Sequence, residues 1–266
     1  MSSNMTKAIL VTSFGTSVNE TREKTIDAIV RDMAEAFPDR RVYTAWSSTM
    51  LIRILAKRDG VHIDTVDEAF DRMKADGIRD VVVQPTHIIN GYDNDKLVRQ
   101  AENHFRDFDS VRISRPMVSG QKDNEEVVEH LKDIYGSLAE DEALVLLGHG
   151  TSHYANNVYP ALDFVLKDRD CPNIYIGTVE GYPDFSSVLK SLKKNHYRRV
   201  TLAPFLIVAG VHALEDMAGE DSGSWKSRLQ AEGYDVNCVF RGIGEYPSFR
   251  KMFVDHAKEA LNRSLQ

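Results

Sequence analysis

The chain has 266 residues, 42% of them hydrophobic and 27% charged, which is enough for one large hydrophobic core or two smaller ones. Its formal net charge of −7 argues against a general nucleic-acid binder, because phosphate contacts need a basic face. The two cysteines form no CxxC pair, and neither a signal peptide nor a membrane-spanning apolar run is evident. We therefore expect a cytoplasmic protein without membrane contact.

The first half of the chain alternates short apolar runs with segments of helical periodicity. Strands are predicted at Ala8–Ser13, Arg41–Ala45, Asp80–Gln84 and Val111–Ile113. Helices are predicted at Glu20–Phe37, Ser47–Lys57, Thr65–Ala75 and Asn94–Phe105. Strands that alternate with helices of roughly ten to fifteen residues are typical of βαβ units in a parallel sheet.

The same alternation restarts after a connector at Ser114–Lys122. Strands are predicted at Leu144–Leu147, Asn173–Gly177, Arg199–Ala203 and Tyr234–Phe240. Helices are predicted at Asp123–Leu138, Val158–Lys167, Phe185–Asn195, after Gly223 and at Pro247–Asn262. We therefore predict an α/β protein of two similar lobes, each a mostly parallel sheet flanked by helices. Residues 1–118 would form the N-terminal lobe and residues 119–266 the C-terminal lobe.

Two segments of the first half recur in the second half, after predicted strands. Residues 14–17 and residues 149–152 both end in Gly-Thr-Ser. Pro85–Gly91 and Pro204–Gly210 each run from proline to glycine with five residues between them. These repeats predict an internal duplication, with two lobes facing one another across a cleft. The alternative is a single mixed domain with chance similarity.

Three predicted strand ends of the second half carry metal-ligating side chains. These residues are His149, Glu180 and His212. The matching places of the first half hold Phe14, Ser48 and Asp93. Strand ends of one parallel sheet lie near each other, so the three second-half groups can converge on an open site for Co²⁺, Ni²⁺, Fe²⁺ or Zn²⁺. The alternative for each residue alone is a structural role; His149, for example, could be a buried histidine that caps the end of a strand.

Several segments together resemble one known family, the anaerobic-pathway sirohydrochlorin cobaltochelatases of the CbiK type. The similar segments are residues 13–16, 84–91, 148–152, 177–181, 204–212 and 216–219. The resemblance extends over about residues 7–260 and implies a class II chelatase fold of two α/β lobes, related to ferrochelatase. It also implies ATP-independent insertion of Co²⁺ into sirohydrochlorin, a step towards cobalamin. Insertion of Fe²⁺, giving sirohaem, is similar chemistry and a second expected activity.

The resemblance assigns roles to particular residues. His149, Glu180 and His212 match the metal-binding groups, and His149 also matches the proton acceptor; Glu180 would balance charge or take a proton. The residues expected to contact the tetrapyrrole are Phe14, Gly15, His87, Ile88, Gly148 and Gly150. Glycine there would leave room for a flat macrocycle, and Phe14 would offer a packing face. Asp93 falls near a position where similar proteins carry an acidic residue, so we group it with the substrate-binding residues.

Partners follow from the same resemblance. We expect a homo-oligomer that uses no ATP or other nucleotide, and no Walker A motif occurs in the chain. Arg53 and Lys57 are candidates for binding the substrate carboxylates. The acidic residues Glu215, Asp216, Glu220 and Asp221 either guide cations or form a solvated surface. His153 is expected in an exposed loop.

Two other functions use the same residues. A non-catalytic carrier of metal or tetrapyrrole would need the same three ligands but would not accelerate insertion. A ferrochelatase-like enzyme would act on a different porphyrin. Metal preference stays open, because geometry and supply decide it more than ligand type.

Overall fold

The computed structural model describes residues 6–263, which form two compact units. One unit comprises the chain up to Ser119 together with the segment from Tyr246 onward, and the other comprises Gly120–Glu245. Among the residues from 6 to 263, no helix combines the length and the apolar character needed to cross a membrane.

The first unit is built on a four-stranded parallel sheet. Its strands are β1 (Lys7–Ser13), β2 (Arg41–Trp46), β3 (Asp80–Pro85) and β4 (Ser110–Ile113), in the order β2-β1-β3-β4. Its first five helices are α1 (Asn19–Lys24), α2 (Ile26–Ala36), α3 (Thr49–Asp59), α4 (Val66–Ala75) and α5 (Tyr92–Asn103). Leu10 and Val83 pack against Phe70 of α4 and Leu97 of α5. Ile9, which alternates with Leu10, is also fully buried, so both faces of the sheet are covered.

The second unit repeats this plan. Its strands are β5 (Glu142–Gly148), β6 (Ile174–Thr178), β7 (Arg199–Pro204) and β8 (Asp235–Cys238), all parallel in the order β6-β5-β7-β8. Its helices are α6 (Gln121–Tyr135), α7 (Val158–Asp168), α8 (Phe185–Asn195) and α9 (Trp225–Ala231). Val145 and Leu202 pack against Phe185 and Trp225. The two sheets therefore have the same strand order and the same parallel sense.

Strand register confirms that the two units are duplicates. Pro85 of β3 pairs with Thr12 of β1, and Pro204 of β7 pairs with Leu147 of β5. The two prolines that begin the repeated segments therefore occupy the same place at the ends of their sheets. This agreement confirms the predicted fold of two similar α/β lobes.

The position of the last helix differs from the predicted division of the chain into lobes of residues 1–118 and 119–266. Helix α10 (Pro247–Asn262) belongs to the first unit, where it packs against α2, β3 and β4. It buries Phe249 and Phe253, and Arg250 donates to Asp32 of α2 at 2.7 Å. Although α10 follows the second sheet in the chain, it does not pack on that sheet. Its apolar face instead completes the core of the first unit.

Local backbone chemistry explains smaller differences from the predicted elements. The single helix expected over Glu20–Phe37 is broken at Thr25, whose φ of −120° and ψ of −79° are not helical. The Thr25 hydroxyl donates to the Thr21 carbonyl and so competes with the helical hydrogen-bond pattern. Strand β8 is shorter than the predicted strand Tyr234–Phe240.

Candidate metal centre

The turn after β5 presents His149. Gly150 has a φ of +79°, and a Cβ on it would lie 2.6 Å from the Gly181 backbone nitrogen. A Cβ on Gly148 would lie 2.5 Å from the ring of Tyr159. Both glycines are therefore required by packing within the protein itself, whereas the sequence suggested that they make room for a ligand.

The loop after β6 brings Glu180 beside His149. The Glu180 backbone N–H donates to the His149 carbonyl at 2.8 Å, and the N–H of Val179 donates to the Gly148 carbonyl at 3.1 Å. Glu180 Oε2 lies 3.9 Å from His149 Nδ1, and 62% of the Glu180 side chain is exposed. The carboxylate is therefore close to the imidazole and still accessible to an incoming cation.

The segment after β7 brings His212 to the same place. The centroids of the His149 and His212 rings lie 4.6 Å apart, and the ring planes are perpendicular at 87°. His212 directly precedes a π-helical turn over Ala213–Met217, whose end residues Ala213 and Met217 are fully buried. Residues separated by 31 and 32 positions thus converge at the carboxyl edge of one sheet.

The hydrogen bonds of the two imidazoles define their chemistry. His149 Nδ1 lies 2.9 Å from the Gly150 carbonyl oxygen, and His212 Nδ1 lies 2.6 Å from Asp216 Oδ2. Because a carbonyl or carboxylate oxygen only accepts, each Nδ1 carries the proton and donates it. The Nε2 of each ring is left with a lone pair, which is the form that can bind a metal ion or accept a proton.

The equivalent positions of the first unit are chemically different. Phe14 is 47% exposed, and the Ser48 hydroxyl caps α3 by accepting from the Leu51 N–H. Asp93 is exposed in the first turn of α5, where a carboxylate is favourable beside the helix N-terminus. Gly15 has a φ of +106°, and a Cβ on it would lie 2.4 Å from the Trp46 ring. Only Asp93 of this set offers a metal ligand.

His87 is the most unusual group in the first unit. Both of its ring nitrogens are buried without a well-formed hydrogen bond in the described chain, although Asp93 and Asn94 lie nearby. Burial lowers the pKa of His87, and the negative charge of Asp93 opposes that shift only in part. The backbone carbonyl of His87 accepts a hydrogen bond from the Met117 N–H at 3.0 Å, and that of Ile88 accepts one from the Val118 N–H at 2.8 Å.

Another cluster of potential ligands has a structural explanation. Within residues 6–263, the group of three whose donor atoms all lie within 4.8 Å of one another is His62, Asp64 and Glu68. Arg72 pairs with Asp64 at 2.6 Å, and Glu68 completes the capping box of α4 with Thr65. These carboxylates already have partners, while the His149, Glu180 and His212 group is more open.

Sequence reasoning missed three features of this region. His153, expected in an exposed loop, is 7% exposed, and its Nδ1 accepts from the Ala155 N–H at 3.1 Å. Tyr159 lies buried beneath the His149 turn, and burial raises its pKa to about 12. The bond between His212 and Asp216 was also missed, although the spacing of four residues in a helical turn could have indicated it.

Comparison with known proteins identifies the family. The family model described as cobalt chelatase (CbiK) matches residues 7–262. The chain belongs to the CbiK family of cobalt chelatases. The sirohydrochlorin cobaltochelatase of Salmonella typhimurium is 39% identical over 262 residues, covering 98% of this chain and 99% of that protein. The sirohydrochlorin cobaltochelatase CbiKC of Nitratidesulfovibrio vulgaris is 36% identical over 259 residues, covering 96% and 91%. The predicted resemblance to CbiK proteins is confirmed.

Solved structures agree on the fold of this CbiK family member. SirB from Bacillus subtilis, determined with Fe³⁺, aligns with a TM-score of 0.67 at 16% identity and covers 96% of each chain. At that identity the likeness establishes a shared chelatase fold.

Proposed function

We propose that this protein catalyses the ATP-independent insertion of Co²⁺ into sirohydrochlorin. The observation that carries the proposal is the convergence of His149, Glu180 and His212 at one sheet edge in a member of the cobalt chelatase family. Two relatives that match nearly the whole chain carry the name of this activity. A charge-balancing carboxylate and two neutral imidazoles suit a divalent ion of borderline softness.

The proposed chemistry uses the three side chains as temporary ligands. Insertion replaces two pyrrole protons of the macrocycle with one Co²⁺, so two protons leave for each ion that enters. Three protein ligands leave coordination positions that ring nitrogens can occupy. His149 Nε2 would accept one pyrrole proton, and the exposed Glu180 carboxylate would receive the other or pass it to water.

We also propose contacts from the first unit to the tetrapyrrole. Phe14 offers an exposed aromatic face, which suits packing against a flat macrocycle. Asp93 is exposed, and His87 and Ile88 lie in the loop that precedes it. Gly15, and in the second unit Gly148 and Gly150, would contact the ring through their backbone atoms, since protein atoms fill the space where their side chains would lie.

Several finer assignments belong to this proposal. Fe²⁺, Ni²⁺ and Zn²⁺ are expected to compete for the same ligands, because imidazole and carboxylate accept all of them. Cys171 and Cys238 are both free thiols, which supports a reducing, cytoplasmic location. A homo-oligomer remains our expectation.

An anaerobic absorbance assay tests the function. Purified protein is mixed with Co²⁺ and either sirohydrochlorin or protoporphyrin, without nucleotide. Formation of the metallated ring is compared with the protein-free mixture and with His149→Ala. We expect a marked acceleration by the wild-type protein and loss of it in His149→Ala. A rate equal to the protein-free mixture would instead identify a carrier, and faster metallation of protoporphyrin than of sirohydrochlorin would identify a ferrochelatase-like enzyme.

A further inference from the structure

The acidic cluster after His212 separates into residues with different contacts. Glu220 pairs with Lys226 at 2.7 Å, and Asp221 accepts from the Gly223 backbone N–H at 2.7 Å. Asp216 is the member whose carboxylate contacts an imidazole, with Oδ2 2.6 Å from His212 Nδ1. Glu215 is its immediate neighbour and is exposed.

The π-helical turn over Ala213–Met217 holds Asp216 firmly. Met217, the next residue, is fully buried in the core of the second unit. The turn is closed by Gly219, whose N–H donates to the Glu215 carbonyl at 3.0 Å, and a Cβ on Gly219 would lie 2.5 Å from that oxygen. The Gly219 carbonyl in turn accepts from the Ser224 hydroxyl at 2.6 Å. Single π-helical turns within proteins occur frequently at functional sites.

We propose that Asp216 is a positioning residue for the metal ligand His212. Its carboxylate holds the proton of His212 on Nδ1 and fixes the plane of the ring, so that the Nε2 lone pair is ready for Co²⁺. A carboxylate hydrogen-bonded to a ligating histidine also raises the basicity of the ligand. The inference rests on the proposed function, because it takes His212 to be a ligand of the substrate metal.

The two imidazoles differ in a way that suits transfer of the ion. His149 donates to a neutral backbone carbonyl of Gly150, whereas His212 donates to a charged carboxylate. The Nε2 lone pair of His212 should therefore be the stronger ligand for a metal ion of the two. Co²⁺ held mainly by His212 would leave His149 Nε2 free to accept a pyrrole proton.

Binding of Co²⁺ alone to the full-length protein tests the inference without depending on turnover. Titrations followed by calorimetry and by the visible Co²⁺ spectrum would compare wild type with Asp216→Ala, Asp216→Asn and Glu215→Ala. We expect Asp216→Ala to weaken Co²⁺ binding by about 10- to 100-fold. Asp216→Asn keeps a hydrogen-bond acceptor and should retain more affinity, while Glu215→Ala removes the same charge from the same turn and should bind Co²⁺ like wild type.

A double-mutant cycle with His212→Ala separates positioning from general attraction. In the His212→Ala background, Asp216→Ala should have no further effect on Co²⁺ affinity. Wild-type affinity in Asp216→Ala, or equal losses in Asp216→Ala and Glu215→Ala, would overturn the positioning role. If His149→Ala and His212→Ala both bind Co²⁺ like wild type, the proposed metal site itself fails. Far-UV circular dichroism and thermal midpoints verify that each variant is folded.

Discussion

In the proposed reaction His149 both binds Co²⁺ and accepts a proton, and a single nitrogen atom, Nε2, does both in turn. Its Nδ1 is committed to the Gly150 carbonyl, so Nε2 must both hold Co²⁺ and accept a pyrrole proton. The neighbouring His212 lies 4.6 Å away between ring centroids and can keep the ion while His149 releases it. Two imidazoles at this separation therefore allow metal transfer and proton transfer to alternate.

This division of labour predicts different kinetic effects for the two histidines. His149→Ala should lower kcat by about 10²- to 10⁴-fold, the usual contribution of a general base, while Co²⁺ binding falls less. His212→Ala should primarily weaken Co²⁺ binding. Steady-state kinetics and direct Co²⁺ titration on both variants check the prediction. Equal losses of kcat and of Co²⁺ affinity in the two variants would contradict it.

His87 predicts a pH-dependent stability for the first unit. The folded protein keeps His87 neutral, whereas the unfolded chain protonates it below a pH of about 6.5. Protons therefore favour the unfolded state, and the free energy of unfolding falls as the pH is lowered below that value. His87→Leu, which installs the residue found at the equivalent Leu206, should reduce this dependence in urea unfolding at pH 7.5 and pH 5.5.

A matched control for His87 uses an exposed histidine. His196 ends α8 with a φ of +60°, a conformation that asparagine also adopts. His196→Asn should leave the pH dependence of unfolding as in wild type. If His87→Leu shows the same slope as His196→Asn, burial of a neutral His87 is not the cause.

At the scale of elements, α3 presents an unusual surface. Its N-terminus is capped by Ser48, and Met50 and Ile54 are exposed at 63% and 38%. Arg53 and Lys57 lie on the same helix and are exposed. A polycarboxylate substrate must be attracted locally, because the protein as a whole carries a net charge of −7.

This surface predicts a substrate-binding effect. The double variant Arg53→Glu and Lys57→Glu should raise KM for sirohydrochlorin, most strongly at low salt, with a smaller change in kcat. The matched control is Lys190→Glu with Lys194→Glu, which makes the same charge change at the same spacing on α8. Equal increases of KM in both double variants would show that net charge, and not the α3 surface, sets substrate affinity.

Elements also show how far the sequence was informative. Every strand was predicted near its observed position. Strands β1, β3 and β5 contain the continuous apolar runs typical of buried parallel strands, whereas the edge strands β4 and β8 alternate apolar with polar residues. The break at Thr25 was not predicted, since it depends on a side-chain hydroxyl that bonds to the backbone only in the folded chain. The repeat segments correctly predicted the duplication, because their prolines occupy equal positions in register.

At the scale of the whole molecule, the last helix, α10, returns from the second unit and packs into the core of the first. Phe253 of α10 is fully buried, whereas Phe164 of α7 is 72% exposed. Phe253→Ala should destabilise the protein by about 3–5 kcal/mol, because it removes a buried aromatic ring and leaves a cavity. Phe164→Ala should change the free energy of unfolding far less, and urea unfolding of both variants provides the measurement. Equal, small effects would show that α10 is not integral to the core.

The sequence by itself determined the alternation of strands and helices, the duplication, the family and the three metal-ligand candidates. These follow from patterns written along the chain, such as apolar periodicity and repeated strand-end segments. Tertiary structure alone decided that α10 packs in the first unit and that Gly148 and Gly150 make room for Tyr159 and the Gly181 backbone. Those features depend on contacts between residues that are far apart in the chain, and no local pattern in the sequence specifies such contacts.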